Sequence, residues 1–404
     1  MSKQNSPLVL GTERISKLLT QYAIPAIIAM TASSLYNMAD SIFIGHGVGP
    51  LAISGLALTF PLMNLAAAFG SLVGVGASTL VSVKLGQKDY EGANKVLGNV
   101  LVLNVVLGLA FTLVFMLLLD PILYFFGASE NTISYARDYM NVILIGNVIT
   151  HMYLGLNAVL RSSGFPKLAM YATLASVVIN CVLNPLFIFG FGWGIKGSAW
   201  ATVISQVISL TGQLIHFSRP KELLHFKKGI YRLKSEIVKG ILYIGMSPFL
   251  MNLCACLIVI LINRGLKEHG GDMAIGAYGI VNRVVFLFIM IIMGFNQGMQ
   301  PIAGYNFGAR QYSRVTEVTK LTMKWAIGVA TTGFLLCQLF PSVIVRMFTT
   351  DPELIEAAVY GSLRSFRLSV SRWWRQTFSF PSGCLRRRSS FRSPGRCCSS
   401  FPAC

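Results

Sequence analysis

The sequence predicts an all-α polytopic membrane protein made of two homologous six-helix bundles, the second incomplete. Composition, repeated uncharged stretches and an internal repeat carry this expectation. Of 404 residues, 54% are hydrophobic and only 12% charged, with a mean hydropathy of +0.62. A soluble chain so poor in charge could not cover its own surface. Uncharged stretches of about 20 residues recur, each long enough to cross roughly 30 Å of hydrocarbon. Sliding the sequence against itself by 222 residues aligns Leu85-Gly86-Gln87-Lys88-Asp89-Tyr90 with Phe307-Gly308-Ala309-Arg310-Gln311-Tyr312. The same offset pairs Ala52 with Ala274, Gly76 with Gly298, Phe126 with Phe348, Ile133 with Ile355 and Ala136 with Ala358.

The polar N-terminal segment runs through Lys17, and the first apolar helix, near 18–39, is too long for a signal-peptide core. Helices near 51–82, 96–119, 139–160, 168–190 and 197–215 complete a first bundle within residues 1–217. A basic stretch, 218–239, links it to a second bundle, 240–363, with helices near 240–263, 273–303 and 325–345 and a tenth starting near 354. Six crossings fit one repeat period, an even number. The copies therefore enter the membrane in the same direction, related by an axis along its normal.

Basic residues collect in alternate gaps: Lys3, Arg14 and Lys17; Lys84, Lys88 and Lys95; Arg161 and Lys167; Arg219 to Lys239; Arg310 and Arg314. The opposite gaps carry few or mixed charges. By the positive-inside rule the N-terminus is cytoplasmic, in a multi-pass protein of a bacterial-type plasma (inner) membrane.

The net charge of +19 needs no nucleic-acid partner. Arg364 to Cys404 holds nine arginines and no Lys, Asp or Glu, and removing those nine from 34 basic residues leaves 25 against 15 acidic ones. Cys181, Cys254, Cys256 and Cys337 lie in apolar runs and read as small buried hydrophobes. The five histidines are scattered without ligand spacing, and there is no Gly-x-x-x-x-Gly-Lys-Ser/Thr loop, Cys-His set or Ser-His-Asp set. No enzymatic activity, metal or cofactor is expected.

Beyond Leu363 the apolar pattern of the tenth helix collapses into Arg, Ser, Cys, Pro and Trp. Two copies of the repeat need about 444 residues. A basic tail beginning there would strand half a helix in the membrane. Arg372-Trp373-Trp374-Arg375 contains two TGG codons; read from each third base, it gives Leu, Met or Val, then Val, then Ala or Glu. Continued in that frame, Phe380 to Leu385 can yield Ser-Val-Gly-Met-Pro, which parallels Ser162-Ser163-Gly164-Phe165-Pro166 of the first copy to within a few residues. Residues 364–404 are therefore expected to be an out-of-frame tail.

Asp40 lies near the far end of the first helix. A carboxylate at membrane depth costs about 2.5–3.5 kcal/mol on insertion scales, so it needs a partner, a bound cation or a proton, unless it snorkels to the interface and caps the helix. Asn180 and Asn184 are i,i+4 on the fifth helix and share a face. Pro185 frees a backbone carbonyl one turn back, and Thr202 follows on the sixth helix. These amides either ligate a cation or act as interhelical hydrogen-bond glue. Arg283 is a lone cation in the eighth helix, where it orders the second bundle or lines a cavity. On the same helix Met290, Gln297 and Gln300 suit either a promiscuous pocket or ordinary core.

Four motifs in order resemble the multidrug and toxic compound extrusion (MATE) family. They are Tyr36-Asn37-Met38-Ala39-Asp40-Ser41-Ile42-Phe43-Ile44-Gly45-His46, the Lys84–Tyr90 loop, Arg161-Ser162-Ser163-Gly164-Phe165-Pro166, and Gly298-Met299-Gln300-Pro301-Ile302-Ala303-Gly304-Tyr305-Asn306-Phe307-Gly308-Ala309. The resemblance covers residues 10 to about 362. It implies a MATE-like protein of two six-helix bundles around an alternately open cavity. It further implies a monomer that exports amphipathic organic cations in exchange for H⁺ or Na⁺. Asp40, Asn180, Asn184 and Thr202 are the implied cation- or proton-coupling residues, and Tyr36, Asn37, Met290, Gln297 and Gln300 the candidate cavity lining. In much of the family the position of Asn184 is an aspartate, so Asp40 would be the sole acid of the first bundle. A lipid-linked saccharide flippase of related fold would hold several basic residues in its cavity, where Arg283 stands nearly alone. Loss of frame would alternatively leave a non-transporting product of a transporter gene.

Overall fold

The computed structural model describes residues 7–342, which hold ten α-helices and no strand. A short 3₁₀ turn, Pro7–Gly11, leads into α1 (Ile15–Gly47), α2 (Pro50–Gly86), α3 (Tyr90–Leu117), α4 (Leu119–Phe125), α5 (Glu130–Ile145), α6 (Asn147–Ser162), α7 (Pro166–Pro185), α8 (Gly194–Phe217), α9 (Ser235–Gly308) and α10 (Tyr312–Leu339). Among the described residues six spans are long and apolar enough to cross a membrane, or seven if the bent pair α5 and α6 counts as one. The tenth expected helix and the tail from Arg364 lie outside the described residues.

The helices bury polar side chains and expose apolar ones, as befits a hydrocarbon solvent. On α7, Val178 and Val182 are 61% and 63% exposed while Asn180 and Asn184 are 2% and 0%. Each helix expected in the first bundle is present, although α8 is not among the spans counted above, and one is broken. The helix expected over 139–160 is two helices meeting at 55° at Gly146, where the backbone lies against Val203 of α8 and a Cβ would strike it.

The α9 element carries two spans, Ser235–Ile258 and Val285–Gly308, where helices are expected over 240–263 and 273–303, and both arms pack on α2. Gly76 meets Ile241 and Gly245, and Gly245 meets Leu72, so this arm runs against α2; Gly304 meets Thr79 and Ser82 and Gly308 meets Val83, so the other runs with it. The chain reverses between them, in keeping with two spans.

The contacts between bundles are reciprocal under the 222-residue offset. Gly86 lies against Tyr305, and Gly308 against Val83; Gly76 lies against Gly245, and Gly298 against Ala23. Each pair is the other's image, as a two-fold axis along the membrane normal requires. The turns match as well: the two non-glycine residues with positive φ among the described ones are Lys88 (61°) and Arg310 (60°), also 222 apart.

The connections 86–90, 162–166, 217–235 and 308–312 share one face with the N-terminal turn, the basic face. There one apolar core joins the bundles, combining Leu10, Leu18, Val81, Leu85 and Leu97 with Ile241, Ile302 and Tyr305. A second core near the opposite face draws its buried residues from the first bundle alone, from Ile44 to Val203.

Candidate functional site

Three helices each contribute an i,i+4 pair to one point inside the first bundle: Tyr36 and Asp40 from α1, Asn180 and Asn184 from α7, Ser198 and Thr202 from α8. Residues so spaced share a helix face, so three polar faces converge where the helices pack. Asp40 is 6% exposed. Its Oδ1 accepts from Asn184 Nδ2 at 2.5 Å and from the Ser198 hydroxyl, and the Tyr139 hydroxyl of α5 also reaches the carboxyl group.

The second tier continues from there. Asn184 Nδ2 reaches Asn180 Oδ1 at 3.4 Å, and Asn180 Nδ2 donates to Thr202 Oγ1 at 3.1 Å. The hydroxyls of Tyr36 and Thr202 are 2.7 Å apart. The α7 helix ends at Pro185 and passes into a π-helical turn, Leu186–Gly190, which holds its last turn beside α1 and α8. Asn184 Oδ1 is buried and has no hydrogen-bond partner among the described residues.

Among the described residues no basic side chain pairs with Asp40. A carboxylate buried without a countercharge is costly, so the site either takes a proton on Asp40 or admits a small cation that neutralises it. Oxygens of Asp40, Asn184, Asn180 and Thr202 are hard ligands, suited to such a cation rather than to a soft transition metal. No group of three His, Cys, Asp or Glu residues able to hold a metal occurs among the described residues.

The structure thus brings Asp40, Asn180, Asn184 and Thr202 together, and Tyr36 with them. Asn37 is exposed and donates to Ser33 O at 3.0 Å. Gln297 reaches from α9 to Met30 Sδ of α1 at 3.4 Å, between the bundles, and Met290 and Gln300 are half-buried on the same arm. The Arg283 side chain lies outside the described residues. Tyr139 and Ser198 were not anticipated. The i,i+4 spacing of Ser198 with Thr202 was the available signal for one; nothing in the local sequence marks the other.

A membrane protein of two facing helical bundles, with a carboxyl group buried among amides and hydroxyls in one of them, has the build of a transporter. The MatE family model matches residues 25–186 and 244–363, and the chain belongs to this family. The chain is 31% identical to the multidrug export protein MepA of Staphylococcus haemolyticus over 350 residues, covering 86% of this chain and 76% of that one. To MepA of a Staphylococcus aureus strain it is 30% identical over the same length and shares. Among solved structures it resembles the outward-facing conformation of a multidrug resistance MATE family transporter of the MOP superfamily (TM-score 0.83, 25% identity, 90% of this chain and 80% of that one). It also resembles MATE in the bent conformation (TM-score 0.82, 26% identity, 88% and 80%). Proteins of this family are multi-pass membrane transporters, not enzymes.

Proposed function

We propose that the protein is a secondary antiporter that exports amphipathic organic cations in exchange for H⁺ or Na⁺, with Asp40 as the coupling group. The observation that carries this is the burial of Asp40 among Asn184, Ser198 and Tyr139 without a basic partner. The MepA relatives, named as multidrug export proteins, support the substrate class. With the basic face in the cytoplasm, a cation enters the Asp40 cluster from outside when the cavity opens outward. Its binding neutralises the carboxylate, and cytoplasmic loading of the organic cation restores the starting state. Asn180, Asn184 and Thr202 supply neutral ligands, so a single titratable acid serves this bundle. Gln297, Gln300, Met290 and Asn37 are assigned to the cavity between the bundles, and the protein acts as a monomer.

The test is dye efflux from proteoliposomes driven by a pH gradient alone or a Na⁺ gradient alone. Asp40→Asn keeps the side chain's shape but removes its charge, and is expected to abolish gradient-driven efflux. Efflux unchanged in this variant overturns the assignment.

The division into residues 1–217, linker 218–239, 240–363 and an out-of-frame 364–404 belongs to the same reading, supported by a family match that stops at residue 363. Resequencing the coding DNA at codon 363 tests the last part: a single unbroken frame there refutes it.

A further inference from the structure

The Asp40 cluster is the upper end of a longer polar column. Below it Ser205 Oγ donates to Thr202 O at 2.8 Å, and Ser176 Oγ donates to Ser205 Oγ at 3.4 Å. The Tyr153 hydroxyl of α6 meets both Ser176 and Thr173. Asn157 Nδ2 reaches Thr173 Oγ1 at 3.4 Å, and Arg161 donates through an NH1 hydrogen to Asn157 Oδ1 at 2.5 Å. The α7 helix thus places a polar residue inward at every turn, Asn184, Asn180, Ser176 and Thr173, and α8 answers with Ser198, Thr202, Ser205, Ser209 and Gln213. The stretch from Ser198 to Gln213 rises about 22 Å, most of the depth of the hydrocarbon.

The lower part of the column is not saturated by protein. Ser209 Oγ and both amide atoms of Gln213 are buried without a hydrogen-bond partner among the described residues, in side chains 4% and 2% exposed. Their direction follows from helix geometry. Gln206 of α8 pairs with Thr150 of α6 at 2.5 Å, and both helices run towards the basic face. Gln213 is two turns beyond Gln206 and Asn157 two turns beyond Thr150, so Gln213 faces α6 at the level of Asn157. Polar atoms buried at membrane depth are satisfied by water when protein does not reach them.

We infer that α6, α7 and α8 enclose a hydrated column through the first bundle, by which the cation held at Asp40 leaves towards the basic face, and that Arg161 is its gate. A guanidinium at the narrow end of a polar passage repels cations. Among the described residues no acid pairs with Arg161. It is only partly buried, so its long stem can carry the charge out to the interface and clear the passage. The inference rests on Asp40 as the coupling site.

The experiment is passive cation flux into proteoliposomes holding the full chain, read with an internal pH dye and, separately, with ²²Na⁺, no organic substrate being present. Arg161→Gln is expected to raise one of these fluxes at least tenfold, Arg161→Lys to leave both low, and Arg161→Gln combined with Gln213→Leu or with Asp40→Asn to return them to the unmodified level. Flux unchanged in Arg161→Gln, or a leak surviving either double substitution, overturns the column. These outcomes differ from failure of the coupling assignment, which is read as unchanged dye efflux in Asp40→Asn alone. Should Arg161→Gln not fold, radiolytic footprinting of the unmodified protein decides: Tyr153, 7% exposed, is expected to oxidise as an exposed tyrosine does, because water lies beside it. Protection of Tyr153 overturns the inference.

Discussion

A carboxyl group is as useful as its surroundings allow, and two aspartates here show opposite uses. Asp89, at the turn between α2 and α3, is N-cap of α3: its Oδ1 accepts from Gly92 N at 2.8 Å and its Oδ2 from Lys84 Nζ at 3.0 Å. The Gly92 hydrogen bond first, then the Lys84 ammonium, hold this carboxyl below its ordinary range. Because the folded value lies under the unfolded one near 3.9, the stabilisation is complete above about pH 4 and fades as pH falls through the folded value. Asp89→Ala is expected to cost about 1 kcal/mol at pH 7, seen as a lower unfolding temperature by tryptophan fluorescence in detergent. The gap to the unmodified protein should narrow towards pH 3; a gap constant with pH contradicts the assignment. Asp40 instead has hydroxyls, an amide and burial, with no basic partner among the described residues.

The separate elements of the site were legible in the sequence, and their meeting was not. Asn180, Asn184 and Thr202 stand out as amides and a hydroxyl in apolar runs. Periodicity places each pair on a face but says nothing of which faces meet across 144 or 158 residues, the separations of Asp40 from Asn184 and Ser198. Tyr139 escaped for that reason. The break at Gly146 escaped because apolar content marks a span without marking its kinks. The packing of α2 on α9 depends on absent side chains. Gly86→Val and Gly308→Val each put carbon against a facing backbone carbonyl, forcing the helices apart. Either is expected to raise maleimide labelling of Ser82→Cys, a position 0% exposed in the native protein. Gly212→Ala, with nothing within 4 Å of its Cβ, should not. Equal labelling in all three backgrounds would show that α2 and α9 are not held by this contact.

At the scale of the molecule the repeat visible in the sequence is the symmetry of the fold, because the contacts it relates are the contacts that join the bundles. A rocking motion that opens the basic face must break both members of each reciprocal pair together. Gly86→Val and Gly308→Val, image positions of the repeat, each obstruct this closure and are therefore expected to lower dye efflux alike; efflux unchanged in either would show the closed face to be static.

The basic face also holds two tethers that cross between copies of the repeat. Asn94 and Asn99 of α3 bind the linker, through Leu223 O, His225 N, Arg232 O and Lys234 N. Asn306 and Arg314 bind the N-terminal segment, through Leu10 O and Glu13 O. The first tether spans 129–135 residues and the second up to 304. A ribosome delivers the first bundle and its linker together, so that tether closes early in synthesis. The leading segment must wait, unsecured, until Arg314 has left the exit tunnel, so the opening residues of the chain are fixed only after the first bundle and its linker.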